Sequence, residues 1–257
     1  MFINNFDPVA FNLFFIEVRW YSLSYIFGII IGWAYIKKIT DKNSKIYNLF
    51  DDYITYIVIG IIVGGRLGYI LFYNLNYFTN NPIEILYIWN GGMSFHGGIL
   101  GLVLFTYLYS LKTKIRLFKI LDLVALSAPI GIFLGRISNF LNSELYGKPT
   151  DVFWSVKFIK VDELNRHPSQ LYEAFFEGII LFLILNIFFK YLLNKPGVIS
   201  GIFLIFYSIF RFFIEYLREP DPHIGYIFLN LTTGQIISLV TICFGIALTY
   251  YQNEKIH

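Results

Sequence analysis

The 257-residue sequence predicts an all-α, polytopic membrane protein, and three observations lead to this fold class. Hydrophobic residues make up 56% of the chain, 14% are charged, and the mean hydropathy is +0.61, which is too apolar for a soluble protein. The apolar residues fall into stretches of about the 20 residues that a helix needs to cross a bilayer. These stretches lack the apolar and polar alternation of membrane β-barrel strands, so we expect helices.

Seven apolar stretches are each predicted to form one transmembrane helix. In chain order they cover residues 20–36, 53–74, 93–111, 120–141, 170–193, 197–216 and 231–251. The longest connection, about 142–169, carries dispersed charges and has Pro149 and Pro168 near its ends. We therefore expect a single integral membrane domain over residues 1–257, with a small folded head at 142–169.

The distribution of Lys and Arg in the connections predicts the orientation. One side would carry Lys37, Lys38, Lys42, Lys45, Lys112, Lys114, Arg116, Lys119, Lys190, Lys195 and Lys255. The other would carry Arg19, Lys148, Lys157, Lys160, Arg166 and Arg218. By the positive-inside rule, the eleven on the first side place the C-terminus in the cytoplasm and the N-terminus outside. The 142–169 head would then lie outside.

Three arginines, Arg66, Arg136 and Arg211, lie deep inside predicted spans. An uncompensated Arg at the bilayer centre costs at least about 2.5 to 3.5 kcal/mol on insertion scales. We therefore expect an interior partner, a water-filled cavity or an anionic ligand beside each. For Arg66, a purely structural pairing with a carboxylate that holds helices together is an equally good interpretation.

Further polar residues gather at the predicted outer ends of three spans. One set, Arg136, Asn139 and Asn142, has a spacing of three residues, and in another Glu215 and Arg218 lie four and seven residues after Arg211, so each of these sets shares one helix face. Guanidinium groups bind phosphate through paired hydrogen bonds and stay charged in a low dielectric, and carboxylates nearby would keep them paired in an empty site. The pattern predicts an anionic-lipid site at the outer leaflet, formed by His96, Arg136, Asn139, Asn142, Glu144, Arg211, Glu215 and Arg218.

Other functional classes fit the sequence less well. The single cysteine, Cys243, excludes an internal disulfide and a CxxC metal site, and we expect it to be a small packing residue. The four histidines are scattered, HExxH is missing, and paired intramembrane aspartates are missing, which argues against a metal site and an intramembrane protease. A transporter or channel for an organic anion is the alternative, although no inverted repeat is visible and the polar groups cluster towards one face.

Six blocks of the sequence resemble those of one protein family. The block Gly135-Arg-Ile-Ser-Asn-Phe-Leu-Asn-Ser-Glu-Leu-Tyr-Gly147 is similar to the signature of the bacterial prolipoprotein diacylglyceryl transferase family. Ser138 and Ser22 stand where that family usually has a smaller residue. The remaining blocks follow in the family's order and are Trp20-Tyr21, Gly64–Asn74, Gly91–Gly98, Arg166–Glu173 and Arg211–Asp221.

The resemblance implies an enzyme of the bacterial inner membrane with seven spans and an outer N-terminus. Its substrates would be phosphatidylglycerol and the lipobox cysteine of a prolipoprotein. The enzyme would be embedded in the lipid bilayer, would need no cofactor and would not bind nucleic acid. The diacylglyceryl group would move to the cysteine thiol, form a thioether and release glycerol phosphate. Such a displacement requires a thiolate and stabilisation of the charge that grows on the departing phosphate. The nucleophile belongs to the substrate, so no enzyme cysteine is required.

We assign hypothetical roles on this basis. Arg136 and Arg211 would clamp the lipid phosphate, Asn139 would orient it, and Tyr21 would hydrogen-bond the headgroup. His96 is one candidate for the base, since an imidazole titrates near about pH 6.5. Glu144 competes with it, because an apolar site can raise the pKa of a carboxyl group. The substrate-binding set is completed by Arg66, Glu215 and Arg218.

Two further groups have structural interpretations. Glycines four residues apart predict close helix packing in the membrane, in the sets Gly60, Gly64 and Gly68, Gly97 and Gly101, and Gly131 and Gly135. Arg166, His167, Gln170 and Glu173 would anchor the head to the fifth span. Glu173 and Glu177 would repel each other unless a cation such as Arg166 lay close.

Overall fold

The computed structural model describes residues 2–14, 16–192, 195–220, 225–228 and 230–254, and these are mostly helical. Asp221 and Lys255 lie outside the described residues. The chain divides into two compact units, one formed by residues 1–35 and 122–257 and the other by residues 36–121. The predicted anion-binding residues of the fourth and sixth spans all belong to the first unit.

Each of the seven predicted apolar stretches is mostly helical over its described residues. The helices are α1 (Trp20–Ile39), α2 (Lys45–Tyr73), α3 (Leu75–Asn80), α4 (Phe95–Thr113), α5 (Leu117–Leu141), α6 (Ser169–Glu173), α7 (Leu181–Leu192), α8 (Val198–Ile214) and α9 (Thr233–Glu254). Helices α1, α2, α4 and α5 correspond to the first four stretches, while the short helix α3 and two 3₁₀ turns follow α2. The fifth stretch consists of α6, a π-helical turn at Ala174–Ile180, and α7, and the last two correspond to α8 and α9.

Within the described residues, five helical segments are long and apolar enough to cross a membrane. They are Trp20–Ile39, Lys45–Tyr73, Leu117–Leu141, Ser169–Leu192 and Thr233–Gln252, and α8 is a shorter apolar helix. The mostly helical, multi-pass architecture predicted from the sequence is therefore confirmed. The count of seven spans and the outer N-terminus stay predictions.

Glycine contacts bring α2 and α4 together within the 36–121 unit. A Cβ atom built on Gly64 would overlap the backbone of Gly97 and lie 2.6 Å from Cα of Gly101. The predicted packing role is thus confirmed at these positions. In the other unit, a Cβ on Gly28 would lie 3.1 Å from Cα of Gly131, whereas Cβ atoms built on Gly131 and Gly135 would have no described atom of a neighbouring element within 4 Å. The close packing predicted from the spacing of this pair is therefore seen only where Gly28 meets Gly131, and it is wrong for Gly135.

The described part of the chain also forms seven short strands, which the sequence analysis did not predict. They are β1 (Phe2–Asn4), β2 (Val9–Leu13), β3 (Ile16–Arg19), β4 (Val156–Phe158), β5 (Asn165–Arg166), β6 (Tyr226–Phe228) and β7 (Leu231–Thr232). Strands β1, β4 and β5 form one sheet with β4 in the centre, parallel to β1 and antiparallel to β5, and β2–β3 and β6–β7 form antiparallel pairs. Phe140, Val156 and Phe158 make a small buried core beside the first sheet.

A buried aspartate fixes the start of α8 against α5. Asp122 in α5 accepts hydrogen bonds from the backbone N–H groups of Gly197 (2.7 Å) and Ser200 (2.8 Å) and from the Ser200 hydroxyl (2.7 Å). The first N–H groups of a helix have no partner within it, so a carboxylate satisfies them well. This contact joins the two helices that carry Arg136 and Arg211. Cys243, expected to be a packing residue, is exposed on α9, so that expectation is wrong.

Candidate active site

Arginines from two helices converge on one buried carboxylate, Glu173, at the end of α6. Nε of Arg136 lies 3.2 Å from Oε2 of Glu173, and Arg211 pairs with Oε1. Nη1 of Arg218, just after α8, lies 3.5 Å from the same Oε1. Glu173 is fully buried. It is therefore the common partner of three guanidinium groups.

Two further carboxylates complete this cluster. Oε2 of Glu177 lies 3.2 Å from Nη2 of Arg136, and Oε2 of Glu215 lies 2.6 Å from Nη2 of Arg211. The Thr232 hydroxyl donates a 3.0 Å hydrogen bond to Oε1 of Glu215. Glu177 is also fully buried, and its Oε1 has no hydrogen-bond partner among the described residues. We call the six charged residues the Arg–Glu cluster: Arg136, Arg211, Arg218, Glu173, Glu177 and Glu215.

The formal charges of the Arg–Glu cluster cancel, with three guanidinium groups and three carboxylates. Removing either sign from such a buried network would leave an uncompensated charge. Among the described carboxylates, none pairs with Nη1 of Arg136 or with Nε of Arg211. The two side chains are 16% and 14% exposed. Each arginine thus has a guanidinium nitrogen that is not used in an ion pair of the cluster.

Glu173 and Glu177 lie at and within the π-helical turn. Glu173 ends α6 and Glu177 lies one turn further along, within Ala174–Ile180. Short π-helical segments inside α-helices are frequent at functional sites. The guanidinium groups of Arg136 and Arg211 offset the repulsion between the two carboxylates. Glu173 is therefore part of the cluster, a role that the sequence analysis does not predict for it. The signal in the sequence is a pair of glutamates four residues apart in an apolar span.

Arg166, the example given above of a cation that could offset the repulsion between these glutamates, lies elsewhere, and Arg136 and Arg211 take that role. Its Nη2 lies 2.6 Å from Asp162 and its Nη1 lies 3.1 Å from Glu219, and Nη1 also donates to the carbonyl of Gly147 (3.0 Å). The guanidinium carbon also lies 4.8 Å from the ring centroid of Tyr146. Arg166 thus ties the 142–169 segment together.

Asn139 and Glu144 form a second polar group just beyond the cluster, at the end of α5. The Asn139 side-chain amide donates to Oε2 of Glu144 (3.1 Å), and the Asn142 amide lies 3.4 Å from Oε1. The backbone N–H of Glu144 donates to the carbonyl of Asn139 (2.9 Å). Asn139 is buried, whereas Glu144 is exposed. The apolar surroundings that motivated Glu144 as a base are therefore not observed.

The start of α1 contributes Tyr21, which is exposed and whose hydroxyl accepts a 3.2 Å hydrogen bond from Tyr25. The buried hydroxyl of Ser138 donates to the carbonyl of Trp20 (3.1 Å). A smaller residue at position 138 would lack this bond. Ser138 thus links the start of α1 to the helix that carries Arg136.

Arg66 has a different environment in the 36–121 unit. It donates to the backbone carbonyls of Glu84 (2.6 Å), Ile85 (3.0 Å), Tyr87 (3.2 Å), Gly91 (2.5 Å) and Gly92 (3.2 Å). All three guanidinium nitrogens are engaged with the segment between α3 and α4. The geometry favours a structural role for Arg66, with backbone carbonyls in place of the expected carboxylate.

His96 lies in the first turn of α4, within the same unit as Arg66. Its imidazole is exposed and packs edge-on against the ring of Phe95, with centroids 5.7 Å apart. The structure thus brings Arg136, Arg211, Glu215 and Arg218 together, pairs Asn139 with Glu144, and places His96 and Arg66 in the other compact unit.

Comparison with known proteins agrees with the resemblance in the sequence blocks. The family described as prolipoprotein diacylglyceryl transferase matches residues 8–251. A phosphatidylglycerol-prolipoprotein diacylglyceryl transferase of Rickettsia felis is 50% identical over 255 residues, which cover 98% of each chain. The similarly named protein of Rickettsia typhi is 49% identical over 99% of this chain and 100% of its own. That of Ehrlichia ruminantium is 47% identical over 95% and 96%, respectively.

Proposed function

The chain belongs to the prolipoprotein diacylglyceryl transferase family, and we propose that its Arg–Glu cluster binds the lipid phosphate during the transfer. The protein is a transferase that moves the diacylglyceryl group of phosphatidylglycerol to a prolipoprotein. Relatives with about half of their residues identical over nearly the whole chain support this activity rather than anion transport. The acceptor atom in the proposal is the thiol of the lipobox cysteine.

One observation carries the phosphate assignment. Arg136 and Arg211 share the buried Glu173, and each has one guanidinium nitrogen outside its ion pairs with the described carboxylates. A phosphate has the same charge preference as the carboxylates and can accept paired hydrogen bonds from a guanidinium. The lipid phosphate would therefore bind first at these two nitrogens, and it would gain paired hydrogen bonds by displacing Glu177 from Arg136 or Glu215 from Arg211.

The same contacts would assist the chemistry. When the thiolate attacks the glycerol carbon, the bond from that carbon to the phosphate oxygen breaks and the oxygen keeps the electron pair. Fixed guanidinium groups stabilise this growing charge more than they stabilise the bound diester, which lowers the barrier. Glycerol phosphate leaves, and the thiol proton passes to a base. The reaction needs no covalent enzyme intermediate.

Two groups are proposed for that base, His96 and Glu144. His96 is exposed in the 36–121 unit, while Glu144 is exposed and hydrogen-bonded by the Asn139 amide. Transfer rates of His96→Gln and Glu144→Gln measured against pH separate the two. Loss of the acidic limb of the pH profile in one variant identifies that residue, and full activity in both variants removes the assignment.

Location and orientation belong to the same proposal. We place the protein in the bacterial inner membrane, with seven spans, an outer N-terminus, a cytoplasmic C-terminus and the 142–169 segment outside. The excess of Lys and Arg in the alternate connections supports this arrangement. Labelling of single cysteines placed at positions 43 and 151 by a membrane-impermeant reagent tests it, with position 151 expected to react from outside.

The central experiment is reconstitution of the pure protein with phosphatidylglycerol and a lipobox peptide, followed by mass spectrometry of the peptide. A gain of one diacylglyceryl group on the cysteine is expected, and it should disappear with Arg136→Ala. A peptide with serine in place of cysteine is the matched control and should gain no mass. Modification of the serine peptide, or equal modification by Arg136→Ala, would contradict the proposal.

A further inference from the structure

A buried asparagine near the N-terminus, Asn4, contacts the end of α5. Its side chain is fully buried, Nδ2 donates a 2.7 Å hydrogen bond to the carbonyl of Phe140, and Oδ1 lies 3.3 Å from the Ser143 hydroxyl. The backbone of Asn4 pairs in parallel with Phe158 of β4. A residue at the end of β1 is thus bound both to the sheet and to a helix end more than 130 positions away.

The two contacts of Asn4 flank the Asn139–Glu144 pair. Phe140 directly follows Asn139, and Ser143 directly precedes Glu144. The carbonyls at the end of a helix lack partners within the helix, and that of Phe140 accepts from the Asn4 amide and, at 3.1 Å, from the backbone N–H of Ser143. Asn4 therefore fixes the chain on both sides of the hydrogen bond between the Asn139 amide and the Glu144 carboxylate.

The turn around Glu144 has an unfavourable backbone conformation that contacts from other elements must stabilise. Ser143 and Leu145 have φ values of 59° and 56°, in the left-handed region that non-glycine residues rarely adopt. On its other side the turn is held by α6, whose Ser169 hydroxyl donates to the Leu145 carbonyl (2.9 Å) and whose Gln170 amide donates to the Glu144 carbonyl (2.6 Å). Contacts from two elements thus hold a backbone that would otherwise relax.

We propose that Asn4 is a positioning residue that aligns Asn139 and Glu144 for the transfer step. The inference rests on the proposed function, because it assumes that this pair orients substrate or accepts the thiol proton. Asn4 reaches no reacting atom and acts through the turn. Its loss would loosen the pair while leaving the Arg–Glu cluster intact.

The test compares Asn4→Ala with Asn5→Ala, since Asn5 is the neighbouring asparagine and is exposed. With peptide and phosphatidylglycerol, kcat of Asn4→Ala should fall about tenfold, because small misplacements of reacting groups reduce rates strongly. KM for the lipid should stay within twofold, and Asn5→Ala should match the parent protein. Equal kcat values for the two variants would overturn the inference.

A double-mutant cycle separates positioning from general destabilisation. In the Glu144→Gln background, Asn4→Ala should lower kcat by less than twofold, because the carboxylate that Asn4 holds against the Asn139 amide has already been removed. A further tenfold loss there would overturn the inference. If Asn4→Ala does not fold, Ser143→Ala decides, since it deletes only the hydroxyl; a fall of about threefold is expected, and an unchanged kcat would overturn the proposal.

The same experiments distinguish failure of the inference from failure of the proposed function. If Asn139→Ala and Glu144→Gln lose activity while Asn4→Ala retains it, the inference fails and the proposed function stands. If Asn139→Ala and Glu144→Gln are both fully active, the assignment of this pair in the proposed function fails, and the inference fails with it.

Discussion

Buried arginines of the two compact units have opposite kinds of partner. Arg136 and Arg211 face carboxylates, with Glu173 between them, whereas Arg66 donates to five backbone carbonyls. A carboxylate competes with other anions for a guanidinium, so an incoming phosphate can take its place. Backbone carbonyls are fixed by the chain and leave no donor free. The partner of a buried arginine therefore indicates its role better than its depth in the sequence does.

The largest effect is expected from Arg136→Ala. The variant removes a donor that would stabilise the departing phosphate, and losses of 10² to 10³ in rate are typical for such groups. We expect kcat/KM for transfer to fall at least about 100-fold. Arg136→Lys should also be strongly impaired, because an ammonium cannot reproduce the paired hydrogen bonds of a guanidinium. A transfer rate of Arg136→Ala within threefold of the parent rate would contradict the different roles inferred for Arg136 and Arg66.

Arg66→Ala should mainly affect stability. Five carbonyls would lose a charged donor, and hydrogen bonds to charged groups contribute about 1.5 to 3 kcal/mol each. We expect a clear fall in the thermal unfolding temperature in detergent, while the folded fraction keeps the parent KM for phosphatidylglycerol. A large rise in that KM with unchanged thermal stability would assign Arg66 to the lipid site instead.

The variant Glu177→Gln tests whether the lipid phosphate replaces the Glu177 carboxylate in the Arg–Glu cluster. The amide keeps the shape of the side chain and removes one negative charge, which leaves the Arg–Glu cluster with a net positive charge. We expect a KM for phosphatidylglycerol several-fold lower at low ionic strength and lower thermal stability without lipid, which lipid restores. Glu163→Gln is the matched control on an exposed carboxylate. A higher KM for the lipid in Glu177→Gln would show that this carboxylate does not compete with the phosphate.

The smallest effect concerns Arg166, an arginine outside the membrane-spanning segments. Its guanidinium lowers the pKa of Asp162 below the ordinary value. The ionised carboxylate therefore stabilises the fold above about pH 4, and this contribution is lost as the pH falls through the lowered pKa. We expect the free energy of unfolding of Asp162→Asn at pH 7 to be lower than that of the parent by less than about 1 kcal/mol, which is seen as a slightly lower unfolding temperature. The difference should shrink on acidification. A difference that grows towards low pH would contradict this sign.

Much of the architecture follows from the sequence, because twenty-residue apolar stretches have few alternatives in a bilayer. The spacing of Arg211, Glu215 and Arg218 also places one side of the cluster on a single helix. The pairing partners of the buried charged residues are harder to predict from the sequence. Glu173 pairs with residues 37 or more positions away, and Arg66 with carbonyls of a loop whose conformation the sequence pattern does not encode.

The short strands were also not predicted from the sequence. β1 has three residues and gains its structure from β4, which lies more than 150 positions later. A pattern of period two needs a longer run to be visible. The link from Asn4 to Phe140 depends on this pairing, so it becomes apparent only in the folded chain.

The most direct test of the central claim measures stabilisation by lipid without relying on turnover. Thermal unfolding is followed in detergent with increasing phosphatidylglycerol for the parent protein, Arg136→Ala and Arg66→Lys. Since a ligand that binds only the folded state stabilises it by RT ln(1 + [L]/Kd), the parent and the Arg66 variant should gain stability as lipid is added. Arg136→Ala should gain little. An equal gain in Arg136→Ala would contradict the claim that the Arg–Glu cluster binds the lipid phosphate.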